Sequence, residues 1–270
     1  MINNYICITC GVQFAATDEP PAHCPICEDE RQYVHPDGQR WTTLAALRET
    51  HHNELTEWEP GLWGIQTVPK FAIGQRPLLI QAPSGNILWD CHSLIDDATV
   101  AAVEKLGGIS AIAICHPHFY DSMVAWSHAF GGVPVYLPAA DQQWVMRPDP
   151  VLYFWEGDTL ELADGITVIR CGGHFPGSSV LHWAAGAEGR GVLLTGDTIT
   201  VVADRRFVTF MYSYPNDIPL NATAVNRIVA AVEPFEFDRI YGGWTDAIVQ
   251  SGAKTAVLRS AERYIKAISG

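Results

Sequence analysis

Three short motifs constrain this chain more tightly than any other feature. Each places histidine or aspartate directly after a run that reads as a β-strand. His116-Pro117-His118-Phe119-Tyr120-Asp121 follows the stretch 109–115, which is apolar except for Ser110. His174 stands in Gly172-Gly173-His174-Phe175-Pro176-Gly177-Ser178-Ser179, after the strand candidate 166–170. Asp197 stands in Thr195-Gly196-Asp197-Thr198, after the candidate 192–195. In a layered α/β domain such strand ends collect along one edge, where ligands bind. Two histidines one residue apart in an extended turn can face one ion, and Pro117 stiffens the turn. A third histidine completes a three-imidazole site of the kind zinc favours, with an open position in which water becomes a nucleophile near neutral pH. The glycines around His174 and Asp197 allow sharp turns and close backbone approach. One such histidine alone reads as structural, but three with an aspartate read as a metal site.

The remaining pattern supplies the layers. Leu78-Leu79-Ile80-Gln81 and Ile87-Leu88-Trp89 flank a Pro-Ser-Gly-Asn turn and read as a hairpin. A helix over 98–106 should end at Gly107-Gly108, and 239–241 is a further strand. Val225, Ile228, Val229 and Val232 share one helical face, as do Val257, Leu258, Ala261, Tyr264, Ile265 and Ile268. Strands mixed with helices in this way indicate an α/β fold. The length of 270 residues suits one substantial domain plus a small module, and 48% hydrophobic against 17% charged residues suits a large core.

Seventeen basic against thirty acidic residues give a net charge of −13. That field repels phosphate backbones and argues against nucleic-acid binding, leaving a small-molecule substrate as the expected partner. No apolar run is long enough to cross a bilayer, and the N-terminus lacks a basic segment followed by an apolar one. A cytoplasmic protein with no membrane partner is therefore expected, with its seven cysteines reduced.

Four of those cysteines fall in the first 34 residues. Cys7-x2-Cys10-Gly11 and Cys24-Pro25-Ile26-Cys27 are two knuckles, each able to aim two sulfurs at one ion. A module this small has little core, so its metal would supply the folding energy. The segment resembles the short rubredoxin-like ribbons of rubrerythrins. Structural zinc is favoured and iron stays open. The reading divides the chain into a four-cysteine metal ribbon over 1–34, a connector over 35–60 with a short helix at 41–48, and a main domain over 61–270. His51-His52 reads as an exposed helix end.

The histidine and aspartate series resembles the metallo-β-lactamase superfamily, over about residues 62 to 250. The resemblance implies an αβ/βα metallo-β-lactamase sandwich with the metal site at one edge of two sheets. It implies a first metal on His116, His118 and His174, with Asp197 touching it or bridging to a second, and Asp90 orienting the loop. Two departures weaken the second metal site. Tyr120 stands where the family has aspartate and Asp121 where it has a further histidine. Gly242-Gly243-Trp244 stands where a late histidine is due. One tightly held metal is expected. Asp121 is a candidate ligand and a candidate general base. Tyr120 is a candidate catalytic proton donor or else a space-filler. His92 and Asp246 are weaker candidate ligands, and Cys91 one to check; Tyr212 and Tyr214 line the pocket or sit in the core. The implied activity is hydrolysis of an ester, thioester, lactone or similar carbonyl by metal-bound hydroxide. The alternatives are an iron-dependent oxidoreductase of the same fold and a non-catalytic metal-binding protein. Zinc is expected in both sites, with iron possible in either.

Overall fold

Short strands with alternating burial build two mixed sheets in the computed structural model, which describes residues 2–269. The first sheet has seven strands in chain order: β1 (His52–Glu59), β2 (Leu62–Val68), β3 (Leu78–Ile80), β4 (Ile87–Trp89), β5 (Ala111–Ala113), β6 (Val135–Pro138) and β7 (Leu152–Trp155). β1 to β4 pair antiparallel, and β4 to β7 pair parallel. Helix α1 (Leu44–Thr50) precedes this sheet, capped by the Thr43 hydroxyl. Parallel pairs need crossovers. Helix α2 (Asp97–Lys105), capped by Asp96, connects β4 to β5, and α3 (Met123–Ala129) connects β5 to β6.

The second sheet has six strands: β8 (Thr159–Ala163), β9 (Ile166–Arg170), β10 (Ser179–Trp183), β11 (Val192–Leu194), β12 (Arg239–Tyr241) and β13 (Ile248–Val249). Only β11 and β12 pair parallel. Their crossover carries α4 (Ala222–Val232), and α5 (Ala253–Ser269) follows β13. Side chains alternate faces along a strand. Val168, Leu181, Leu194 and Tyr241 therefore join the first sheet's Leu62, Ile65 and Ile80 in the core between the sheets. Ile169, Val180, Leu193 and Ile240 point the other way, onto Val225 and Ile228 of α4 and Val257 and Ala261 of α5. The result is the expected αβ/βα sandwich. No helix among the described residues is long and apolar enough to cross a membrane.

The four-cysteine module packs against this body. Ile6–Cys7 pairs antiparallel with Trp41–Thr42, and Pro25–Glu28 forms one helical turn. Val12, Phe14 and Ile26 surround the cysteines, with Trp41, Trp144 and Met146 packed on them. The stretch 35–60 is not a connector throughout. Its first part pairs back onto the ribbon, and eight residues near its end, His52–Glu59, are β1, the edge of the first sheet. Glu54, Glu57 and Glu59 interrupt its two apolar residues, Leu55 and Trp58, so it carries no regular apolar stripe to read. The helix expected at 41–48 lies three residues later at its start.

Candidate metal centre

Each candidate ligand leaves the end of a strand. Beyond β5 the chain reaches Cys115, whose N–H donates to Asp90 Oδ1 at 2.8 Å. Asp90 sits past the neighbouring parallel strand β4, with φ at 67°. It thus ties two strand ends together directly before His116, and burial pushes its carboxyl up to about 7. His116 is extended, and Pro117–Phe119 form a tight turn that turns His118 back toward it. The His174 loop closes beyond β9 through N–H groups of Cys171 and Gly172 on the Ser178 carbonyl. Asp197 follows β11 through Gly196, where a Cβ would lie 2.6 Å from Cys115 Sγ. Only glycine allows that approach.

His116, His118, His174 and Asp197 converge, with one donor atom from each lying within 4.8 Å of all the others. His118 Nδ1 is 3.2 Å from His174 Nε2, and Asp197 Oδ2 is 3.4 Å from His116 Nε2 and 3.9 Å from His174 Nε2. Donors on a tetrahedron about 2.1 Å from one ion lie roughly 3.4 Å apart. All four residues are buried, and His116 Nε2, His118 Nε2 and Asp197 Oδ1 have no hydrogen-bond partner. Orphaned polar atoms in a buried cluster are costly unless something meets them. His174 Nδ1 donates to the Tyr212 carbonyl at 2.8 Å, which leaves Nε2 with its lone pair facing the cluster. His116 Nδ1 likewise lies against Cys115 Sγ at 2.8 Å. Burial holds His116 and His174 down at about 3 and His118 well below the ordinary imidazole range. The three imidazoles are therefore neutral, as donors to a metal must be. Burial also pushes the Asp197 carboxyl up to about 6. The residues fit a single divalent cation.

The four cysteines fit one as well. Cys7 Sγ is 3.5 Å from Cys27 Sγ and Cys10 Sγ is 3.7 Å from Cys24 Sγ, and all four are free and buried. Sulfurs about 2.3 Å from one zinc in a tetrahedron lie roughly 3.8 Å apart. Among the described residues these are the two groups of three or more such side chains close enough to share an ion.

Several expectations need correction. Asp121 does not join the histidines. Its φ of 35° turns the carboxylate toward the ribbon, where it accepts from Ser93 Oγ at 2.7 Å and from Gln75 Nε2. It is neither placed as a ligand nor as a base at the cluster. Tyr120 is buried in the core between the sheets, and its hydroxyl has no partner. No hydrogen bond or ring contact joins it to the cluster, so the space-filling reading fits better than proton donation. His92 is engaged with Thr67 Oγ1 at 2.5 Å, and Asp246 is exposed on the surface. At the position of the late histidine, Trp244 packs on Phe119 at 6.1 Å, and Phe119 packs on His116 at 4.5 Å. An apolar wall stands there. Tyr214 does border the site: its hydroxyl donates to the Asp197 carbonyl at 2.9 Å, and its ring lies 5.9 Å from His174.

Two residues escaped the sequence reading. Cys115 reads as strand-end packing, yet it faces His116 Nδ1. Arg31 belongs to the ribbon and gives no local signal, yet its guanidinium donates to the His174 carbonyl at 3.3 Å and lies 4.0 Å from the Phe175 ring centroid.

The fold is shared with solved metallo-β-lactamases at low sequence identity. A Cronobacter sakazakii metallo-β-lactamase superposes with a TM-score of 0.53 at 17% identity, covering 80% of this chain and 92% of that one. FIM-1 from Pseudomonas aeruginosa, in its mono-zinc form, gives 0.57 at 15% identity, covering 78% and 95%. The DIM-1 metallo-β-lactamase gives 0.59 at 13% identity, covering 80% and 98%. No family model matches the chain. In sequence it is similar to the uncharacterized protein YmaE of Bacillus subtilis (strain 168), with 52% identity over 267 residues, which are 98% of this chain and 97% of that protein. Identity at that level over nearly the whole length, on this two-sheet sandwich, places the chain in one family with YmaE, built on the metallo-β-lactamase fold.

Proposed function

We propose that the chain is a metal-dependent hydrolase acting on an ester, thioester, lactone or related small carbonyl compound. The observation that carries this reading is the inward convergence of His116, His118, His174 and Asp197, with orphaned donor atoms, at the strand-end edge of the sandwich. A divalent ion held there would supply Lewis acidity, the means of polarising a carbonyl and acidifying water. The chain's own residues do the rest. The three neutral imidazoles and Asp197 fix the ion's place. The Tyr212 carbonyl aims His174, and Asp90 holds the strand end before His116. Phe119, Phe175 and Trp244 wall the cluster with apolar rings, which strengthens every charge interaction inside. A single ion suffices for the donors present, and FIM-1 shows that this fold accepts a mono-zinc form. Zinc is our assignment for both centres. The acidic charge and the free cysteines suit a cytoplasmic protein with a small-molecule substrate.

The test combines metal analysis with turnover. Protein purified without added metal should carry one ion per centre. Cys24→Ser should lose the ribbon ion and His174→Ala the cluster ion. On a panel of esters, thioesters and lactones, His174→Ala should lose more activity than the roughly 10–100-fold typical of changes to groups behind the ligands. Metal-replete protein with no turnover across the panel would sink the hydrolase reading. Iron as the native ion in the histidine cluster would turn attention to redox chemistry.

A further inference from the structure

All four cluster residues are closed off from solvent: His116 is 0%, His118 2%, His174 1% and Asp197 5% exposed. Asp197, the most open of the four, presents only a small edge to solvent in this conformation. Part of what lies over the His174 loop is not the sandwich but a strap of the ribbon, residues 29–32, which begins two positions after Cys27. The strap is held on both sides. Arg31 is paired with Asp29, Nε to Oδ1 at 2.7 Å and Nη2 to Oδ2 at 3.0 Å, and its Nη1 donates to the His174 carbonyl. The guanidinium lies over Phe175, the ring that packs against His118 at 4.9 Å and His174 at 5.0 Å.

The other side of the strap is pinned to the segment that aims His174. The Tyr212 hydroxyl donates to Glu30 Oε1 at 2.6 Å, and the Ser213 hydroxyl donates to the Arg31 carbonyl at 3.2 Å. Asn216 Nδ2 bridges the carbonyls of Glu30 at 2.9 Å and Gln32 at 3.0 Å. Past Gln32 the chain becomes exposed at Tyr33 and Val34, so the strap has a free flank on which to swing. Arg31 and Asp29 are largely covered, but the pins at Glu30 and Asn216 are exposed side chains, and exposed polar contacts of that kind open locally without global unfolding.

We infer that Arg31 is the latch of the His/Asp site: the ribbon strap closes the site's mouth, and ions and substrate pass only when Arg31 leaves Phe175 and the His174 carbonyl. This inference rests on the metal-site reading above and adds a task for the four-cysteine module, which anchors the strap through Cys27. It makes Arg31 a positioning residue that never touches the reacting atoms.

The sign of one experiment separates a latch from a bystander charge. Cobalt(II) loaded into the protein is followed spectroscopically as it passes to excess chelator; cobalt in the ribbon is told apart by its thiolate charge-transfer absorption. A guanidinium that merely repels the ion would, once removed in Arg31→Met, leave the ion held longer. A latch removed would let the ion leave faster, by about tenfold or more. Asn216→Ala keeps the charge and loosens the strap, so it should also release the ion faster. Faster release from folded Arg31→Met supports the latch, and faster release from Asn216→Ala supports the strap as its carrier. Unchanged or slower release from Arg31→Met overturns the latch. A wild-type protein that takes up no cobalt outside the ribbon would sink the metal-site reading and the latch with it.

Discussion

Asp121 shows how one backbone angle reassigns a side chain. Its place in the histidine motif suggests a ligand, but its left-handed φ aims it at the knuckle around Gly11. Ser93 Oγ lies 2.7 Å from Asp121 Oδ1 and 2.8 Å from the Gly11 carbonyl oxygen, sharing its one proton between them, so three segments meet at one hydroxyl. Gly11 itself has φ at 89°, and a Cβ there would lie 2.2 Å from Asp121 Oδ1 and 2.7 Å from Ser93 Oγ. Gly11→Ala therefore combines overpacking with left-handed strain, and should lower stability by about 2–4 kcal/mol in urea titration. A loss under about 0.5 kcal/mol would mean that the contact relaxes freely. His92 is a second buried group with a measurable signature. Burial holds it down at about 3, against an ordinary value near 6.5. Between those values the unfolded chain binds a proton that the native chain excludes. The native state is thus fully favoured above pH 6.5 and loses on the order of 4–5 kcal/mol from this group as pH falls toward 3. His92→Gln should flatten the stability-versus-pH profile by one proton between pH 4 and 6. Metal release contributes equally to both profiles, so their difference isolates His92. Parallel profiles would show that His92 already titrates normally in the folded chain.

At the scale of elements, what the sequence reveals depends on how each strand is buried. Ile112, Val168 and Leu193 sit in runs with enough apolar character to mark β5, β9 and β11, and the ligands are legible because each follows such a strand. β1 was not legible, since His52–Glu59 is an edge strand that is largely exposed. Its last residue nonetheless joins the two sheets. Glu59 Oε2 accepts from Arg239 Nη1 of β12 at 3.2 Å and from the Ala187 N–H at 2.7 Å, and the side chain is only 5% exposed. No local pattern encodes a pairing across 180 positions. Removing one partner of a buried ion pair leaves the other uncompensated. Glu59→Ala should accordingly cost about 3 kcal/mol, read as a lower urea midpoint with an unchanged slope. Arg239→Ala should cost a similar amount, and the double variant less than the sum of the two. Strict additivity would show that the two charges do not interact.

For the molecule as a whole, the decisive relation is the one between the cysteine module and the body. Motif spacing identifies the module but says nothing about docking, because the docking contacts come from distant segments with no shared pattern. Gln13 N–H donates to the Asp121 carbonyl at 3.0 Å, Ala15 N–H donates to the Met146 carbonyl at 3.0 Å, and Arg147 binds the Gln13 side chain. Trp144 and Met146 of the body complete the apolar shell around the cysteines. A ribbon joined in this way cannot melt alone without exposing those residues and releasing Asp121 and Arg31. The ribbon's ion binds the native state and stabilises it by mass action. With the two parts coupled, that stabilisation belongs to the whole fold. Calorimetry should show one transition for wild type and one, at lower temperature, for Cys24→Ser. An independent ribbon predicts the opposite pattern, in which the main transition of Cys24→Ser stays in place and a small early one disappears. Excision of residues 1–34 separates the cases further: a coupled body, stripped of the cover on Trp144 and Met146, should aggregate or melt early, whereas an autonomous sandwich would keep the wild-type midpoint.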